Sequence, residues 1–143
     1  MGAGHHRTRH QVVLFGGVSA PAGSNGSQTF FGDTWIWQAG KWRLAVESGP
    51  RGRYAHGMVF DERASVVLLY GAAAAHRDAP LADMWQWNGE RWTEIALTGP
   101  TPGHRYQPVM VYDRARQRTV LYGGIGAEPD TWEWDGRRWR RVG

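Results

Sequence analysis

Asp83 to Trp92 read DMWQWNGERW, and the spacing of the tryptophans in this stretch decides the fold. The pattern is W-x-W-x4-W. It occurs three times, as Trp35-Trp37-Trp42, Trp85-Trp87-Trp92 and Trp132-Trp134-Trp139, and it accounts for all nine Trp of the chain. The copies begin 50 and 47 residues apart, counted from Trp35 to Trp85 and from Trp85 to Trp132. A period of this length marks a repeat architecture, in which each unit buries its apolar face against the next. Asn88-Gly89 and Asp135-Gly136 are two-residue hairpin signals, and Gln38-Ala39-Gly40 stands in their place in the first unit. With Asn88-Gly89 as the turn, Trp87 pairs with Glu90 and Trp85 stands opposite Trp92. Side chains alternate along a strand, so the three Trp of a unit share one face, and that face needs a neighbouring sheet.

Working outward, other features recur in phase. VVLFGG (Val12 to Gly17), VLLYGA (Val67 to Ala72) and TVLYGG (Thr119 to Gly124) are apolar runs ending in a small-residue pair. Asp33, Asp83 and Asp130 each stand two residues before the first Trp, and RYAHGMVFD (Arg53 to Asp61) recurs as RYQPVMVYD (Arg105 to Asp113). Each unit reads as four strands. Strand one is Tyr54 to Asp61 or Tyr106 to Asp113. Strand two is Ser65 to Gly71 or Arg118 to Gly123, with Val12 to Gly16 in the first unit. Strand three holds the paired Trp, and strand four starts near the third. Strand two is apolar at successive positions, as in sheets covered on both faces.

These residues resemble kelch repeats of the galactose-oxidase-like propeller group: the Gly pairs Gly16-Gly17 and Gly123-Gly124, the preceding Phe15, Tyr70 and Tyr122, and the Trp at fixed distance behind. The resemblance covers residues 11 to 142. It departs at Gly71-Ala72, and no strand one is visible in residues 1–10. The expected fold is all-β, with kelch-type β-propeller blades of four antiparallel strands, about three in number. Blade 1 is placed at about 11–48, blade 2 at about 53–98 and blade 3 at about 105–143, after a poorly structured tail over 1–10. Propellers have at least four blades. The two end blades would therefore expose apolar faces larger than a soluble monomer normally tolerates. Either further blades complete the ring or copies of the chain associate.

Composition narrows the chemistry. The net charge is +4, and every basic residue but Lys41 is arginine. The one dense basic run is Arg137, Arg138, Arg140 and Arg141 around Trp139, best read as a solvated outer strand with Arg stems beside a Trp. Nucleic acid is not the expected partner. The chain has no Cys, which excludes disulfides and thiolate metal sites. Galactose oxidase uses copper and a Tyr cross-linked to a Cys, so that cofactor cannot form within this chain. No nucleophile–His–Asp constellation, phosphate loop or metal-ligand spacing replaces it, and neither catalytic residues nor a cofactor are assigned. Residues 1–10 lack the apolar region of a signal peptide, which makes the cytoplasm the default compartment, with secretion the alternative if the N-terminus is truncated. No apolar run is long enough to span a bilayer.

Strand order gathers the strand two–three loops (Val18 to Gly32, Ala73 to Ala82, Ile125 to Pro129) and the blade-to-blade linkers on one face. The expected ligand-binding residues on it are Arg53, Arg105, His76, His104, Arg51, Phe30 and Phe31, with Arg77 and Glu128 nearby. Arg53 and Arg105 also have a structural reading, as repeated hydrogen-bond donors to carbonyls or an Asp. Charge reversal separates the two: it spares the melting temperature of a ligand contact and unfolds a structural one. His56 reads as a core His with its hydrogen bonds satisfied, and Asp33, Asp83 and Asp130 as acceptors for loop backbone. The resemblance implies a non-catalytic binding or scaffold module whose partner is a protein. The alternatives are a carbohydrate-binding propeller, with Phe30 and Phe31 as sugar-stacking candidates, or a non-catalytic fragment of a larger galactose-oxidase-like enzyme.

Overall fold

Repeats of this length predict stacked sheets, and the computed structural model of the chain contains them. It describes residues 2–6, 10–19, 28–73 and 80–143, with side chains for all of these but 2–6. The first sheet comprises β1 (Gly2–His6), β2 (Gln11–Ser19), β3 (Thr29–Gln38) and β4 (Lys41–Val46). The second comprises β5 (Gly57–Asp61), β6 (Val66–Ala72), β7 (Leu81–Trp87) and β8 (Trp92–Glu94). The third comprises β9 (Val109–Asp113), β10 (Arg118–Tyr122), β11 (Thr131–Trp134) and β12 (Trp139–Arg141). Each sheet is an antiparallel meander whose neighbours follow chain order, and there is no helix among the described residues. The architecture is all-β and propeller-like: three blades of four strands.

Two cores hold the stack together. Val13, Phe15 and Ile36 of the first blade meet Phe60, Val67, Leu69, Trp87 and Trp92 of the second. Val66, Leu68, Tyr70 and Met84 on the opposite face of the second blade meet Leu121, Trp132, Trp134 and Trp139 of the third. β6 is buried along its whole length, which is why VVLLYGA reads as a continuous apolar run rather than an alternating one.

The N-terminal tail expected over residues 1–10 is corrected. Gly2–His6 forms the missing first strand, pairing from Gly2 with Phe15 to His6 with Gln11. The pairing is main-chain chemistry that GAGHH offers as well as any sequence, and it satisfies the edge of β2. The first blade is therefore complete.

The hairpin register is also corrected. Trp87 pairs with Trp92, and Trp85 with Glu94. The connection has four residues, because the Asn88 side-chain oxygen accepts from the backbone N–H of Glu90 (2.9 Å) and Arg91 (3.0 Å). Asp135 does the same for Arg137 (2.8 Å) and Arg138 (2.9 Å). Only the first unit has a two-residue turn, with Ala39 and Gly40 at φ 51° and 79°. The shift moves the pairing by an even number of residues, so the shared Trp face survives. In all three blades the second and third Trp face each other across the hairpin, with ring centroids 5.5, 5.6 and 5.5 Å apart.

Two boundaries move as well. Strand one starts at Gly57 and Val109, later than expected, because Ala55 and Gln107 take left-handed φ of 58° and 57°. Tyr54 and Tyr106 still make single bridges, to Ala73 and Ile125. The loop expected over Val18 to Gly32 is shorter, since Val18 pairs with Phe30 and Ser19 with Thr29 beyond a bulge after Phe15. Phe30 and Phe31 thus lie on β3.

Candidate functional site

The linkers carrying Arg53 and Arg105 cross between blades on the side expected to bind. Each arginine is anchored twice. The Gly17 N–H donates to Arg53 O (2.8 Å) and the Arg53 N–H to Phe31 O (3.1 Å), which ties its backbone to blade 1. Its guanidinium turns into blade 2, donating to both Asp83 oxygens (2.7 Å each) and to Gly71 O (3.2 Å). Arg105 repeats the arrangement one blade on. Its backbone joins Ala72 (3.1 Å) and Leu81 (3.4 Å), and its guanidinium donates to Asp130 (2.9 Å), Gly123 O (2.8 Å) and Pro102 O. Each carboxylate also accepts the indole N–H two residues on: Asp83 Oδ2, shared with Arg53, from Trp85 (2.7 Å), and Asp130 Oδ2, the oxygen Arg105 leaves free, from Trp132 (2.7 Å). Asp83 and Asp130 are thus not acceptors for loop backbone. They join the linker arginine to the Trp strand.

This clamp explains the small-residue pair. A Cβ on Gly16 would stand 2.5 Å from Arg53 O, and one on Gly71 2.5 Å from Arg105 O, both at positive φ. Only glycine lets the linker carbonyl approach so closely.

Arg53 and Arg105, expected as ligand contacts, are 1% exposed. Both are corrected to structural members of the clamps. A buried charge needs a partner, and their forks are already held by a carboxylate and carbonyls. Burial alone would push the Asp83 and Asp130 carboxyls up. The hydrogen bonds and charge of the arginines, with the Trp bonds, outweigh it and hold both below the usual carboxylate range.

His56 is buried next to the clamp, edge-on to Phe15 at 5.6 Å. Its expected hydrogen bonds are absent: neither ring nitrogen has a partner among the described residues. Burial first, then nearby positive charge including Arg53, lowers its pKa to about 3. The folded protein therefore holds His56 neutral. The unfolded chain takes up its proton from about pH 6.5 downward, so stability falls as pH drops from there toward the folded pKa. The loss approaches about 1.4 kcal/mol for each pH unit in that window. Urea midpoints should accordingly drop between pH 6.5 and 4.5 in the parent, and much less in His56→Phe. A parent midpoint flat over this range contradicts the reading.

The other expected site residues are scattered. His76 and Arg77 lie outside the described residues. His104 is exposed, with Nδ1 2.5 Å from Pro80 O. Arg51 and Glu128 are exposed on the linker and loop. Phe30 packs on Tyr54 with centroids 5.8 Å apart, and Phe31 is exposed. These two phenylalanines come together at a hollow of about 410 Å³ lined by Phe30, Phe31, Gly32, Asp33 and Glu47.

Asp33 and Glu47 were not among the expected site residues. The signal for Asp33 was in the sequence: it is the third copy of the clamp aspartate, two residues before the first Trp of its unit. It accepts the Trp35 indole N–H at 2.6 Å, as in the other blades. Among the described residues, no guanidinium reaches it. Among the same residues, no group of three or more His, Cys, Asp or Glu is placed to hold a metal ion. Fold and site thus define a propeller-like repeat protein with one acceptor aspartate, Asp33, that no guanidinium reaches among the described residues. No protein-family model matches the chain, and no curated protein matches it.

Proposed function

We propose that this protein is a non-catalytic binding or scaffold module of the kelch type, and that its partner is a protein that seats an arginine at Asp33. The observation that carries the reading is the clamp: Asp83 and Asp130 each hold a guanidinium, whereas among the described residues none reaches Asp33. The hollow there offers what the inner clamps offer a guanidinium: a carboxylate already oriented by an indole N–H. It adds a second carboxylate, Glu47, and the phenylalanines for the arginine stem or a cation–π contact. Aromatic anchors beside a charged pair are common at protein interfaces.

Two phenylalanines with two carboxylates also suit a sugar ring, which keeps a glycan as the second reading. A peptide copying residues 49–57 of the chain, with its Arg53 retained or replaced by citrulline, separates the two. The arginine peptide is expected to bind the full chain and shift the Trp35 indole resonance. Replacement by citrulline, or Asp33→Asn in the protein, should weaken it about tenfold to a hundredfold, as charge-assisted hydrogen bonds do. The melting temperature of Asp33→Asn should stay near that of the parent. Equal binding by Asp33→Asn defeats the arginine site, and glycan-array binding lost in Phe31→Ala would favour the sugar.

A further inference from the structure

The two end faces of the stack carry exposed residues that match the two sides of its internal joints. At both internal joints, the aromatic residue just before the glycine of strand two of one blade meets, edge to face, the third Trp of the next. Phe15 meets Trp92 with centroids 5.3 Å apart, and Tyr70 meets Trp139 at 5.6 Å. The register gives each open end one half of this pair. Tyr122 occupies the position of Phe15 and Tyr70 on blade 3 and is 51% exposed. Trp42 occupies the position of Trp92 and Trp139 on blade 1 and is 45% exposed.

A second feature matches independently. The Trp92 indole N–H donates to Thr34 Oγ1 of the preceding blade at 2.8 Å. At the next joint Met84 replaces that threonine, and the Trp139 indole nitrogen has no partner. On the open face of blade 3 the threonine returns as Thr131, at the same step before the first Trp. Around these residues lie exposed aliphatics on blade 3, Val109 and Val111, and an exposed leucine on blade 1, Leu44. The short-turn end of the blade 3 face is polar, with Arg116 paired to Glu133 and Asp113, which suits the rim of an interface rather than its centre.

We infer that the occupant of these faces is a second copy of this chain, joined head to tail, so that blade 3 of each copy packs on blade 1 of the other. Two joints of this kind close a ring of six blades, within the range of propellers, and leave no sheet face open. No linker crosses these joints, so the pairing does not depend on the Asp33 site.

The chain has no cysteine, so introduced ones are unique. Sedimentation of the parent at micromolar concentration should show one species of about 32 kDa, twice the 16.1 kDa chain. Trp42→Glu and Tyr122→Asp, both on exposed side chains, should keep the parental circular dichroism and weaken association at least tenfold. A short bismaleimide should cross-link a mixture of Trp42→Cys and Tyr122→Cys chains, and neither variant alone. A parent that sediments as a stable monomer overturns the inference. So do open-ended polymers, a dimer untouched by both charge variants, or cross-linking within a single-variant sample. Asp33→Asn should leave the mass unchanged, so failure of the arginine site and failure of the ring are separately visible.

Discussion

Arg105→Ala is expected to unfold the protein or bring it to the margin of stability. The guanidinium is buried and donates to Asp130, Gly123 O and Pro102 O, while the residue's backbone holds blade 2. Truncation leaves the Asp130 carboxylate, 7% exposed, with the Trp132 indole and a distant Arg141 at 3.8 Å. Removing one partner of a buried ion pair costs about 3–5 kcal/mol, against a whole-domain stability of about 5–15 kcal/mol. Arg105→Lys should rescue little, because an ammonium cannot reproduce the planar fork that reaches a carboxylate and carbonyls together. Arg140→Ala, on an exposed side chain, should shift stability by less than about 0.5 kcal/mol. Urea unfolding followed by Trp fluorescence reads all three. If Arg105→Ala unfolds at the parental midpoint, the clamp is not a structural element, and a ligand role for the arginine returns.

Trp87→Ala should be nearly as damaging, while Trp37→Ala should cost little. The two tryptophans hold the same place in the same motif, and each faces the third Trp of its hairpin. Trp87 is fully buried between blades 1 and 2, whereas Trp37 is 38% exposed on the open face of blade 1. Truncating a buried aromatic costs about 3–5 kcal/mol, and an exposed one typically costs below about 1 kcal/mol. Thermal melts at concentrations low enough to separate copies should show this contrast. Equal losses in the two variants would mean that the hairpin, not the neighbouring blade, is what each Trp stabilises.

Several features follow from the sequence by itself. The Trp period set the repeat, its length set a four-strand unit, and the two-residue step before the hairpin with the cross-hairpin pairing after it put the three Trp of each unit on one face. These follow from periodicity and pleat alone, which is why they hold even though the hairpin connection is four residues long in the second and third units rather than two. The exposure of both end faces was equally legible, since counting units suffices for it. Tertiary structure decided what local pattern cannot carry. β1 is invisible in GAGHH because main-chain pairing with the edge of β2 requires no particular side-chain pattern. Arg53 and Arg105 looked like surface charges on linkers. Only the approach of consecutive blades shows that their partners, Asp83 and Asp130, lie 30 and 25 residues away along the chain. The same approach buries His56 without a hydrogen bond. It also buries Asp130 but leaves Asp33, which shares the Asp-Thr-Trp step, only half-buried, because burial depends on which blade stands next to a residue and the repeat pattern is the same in all of them.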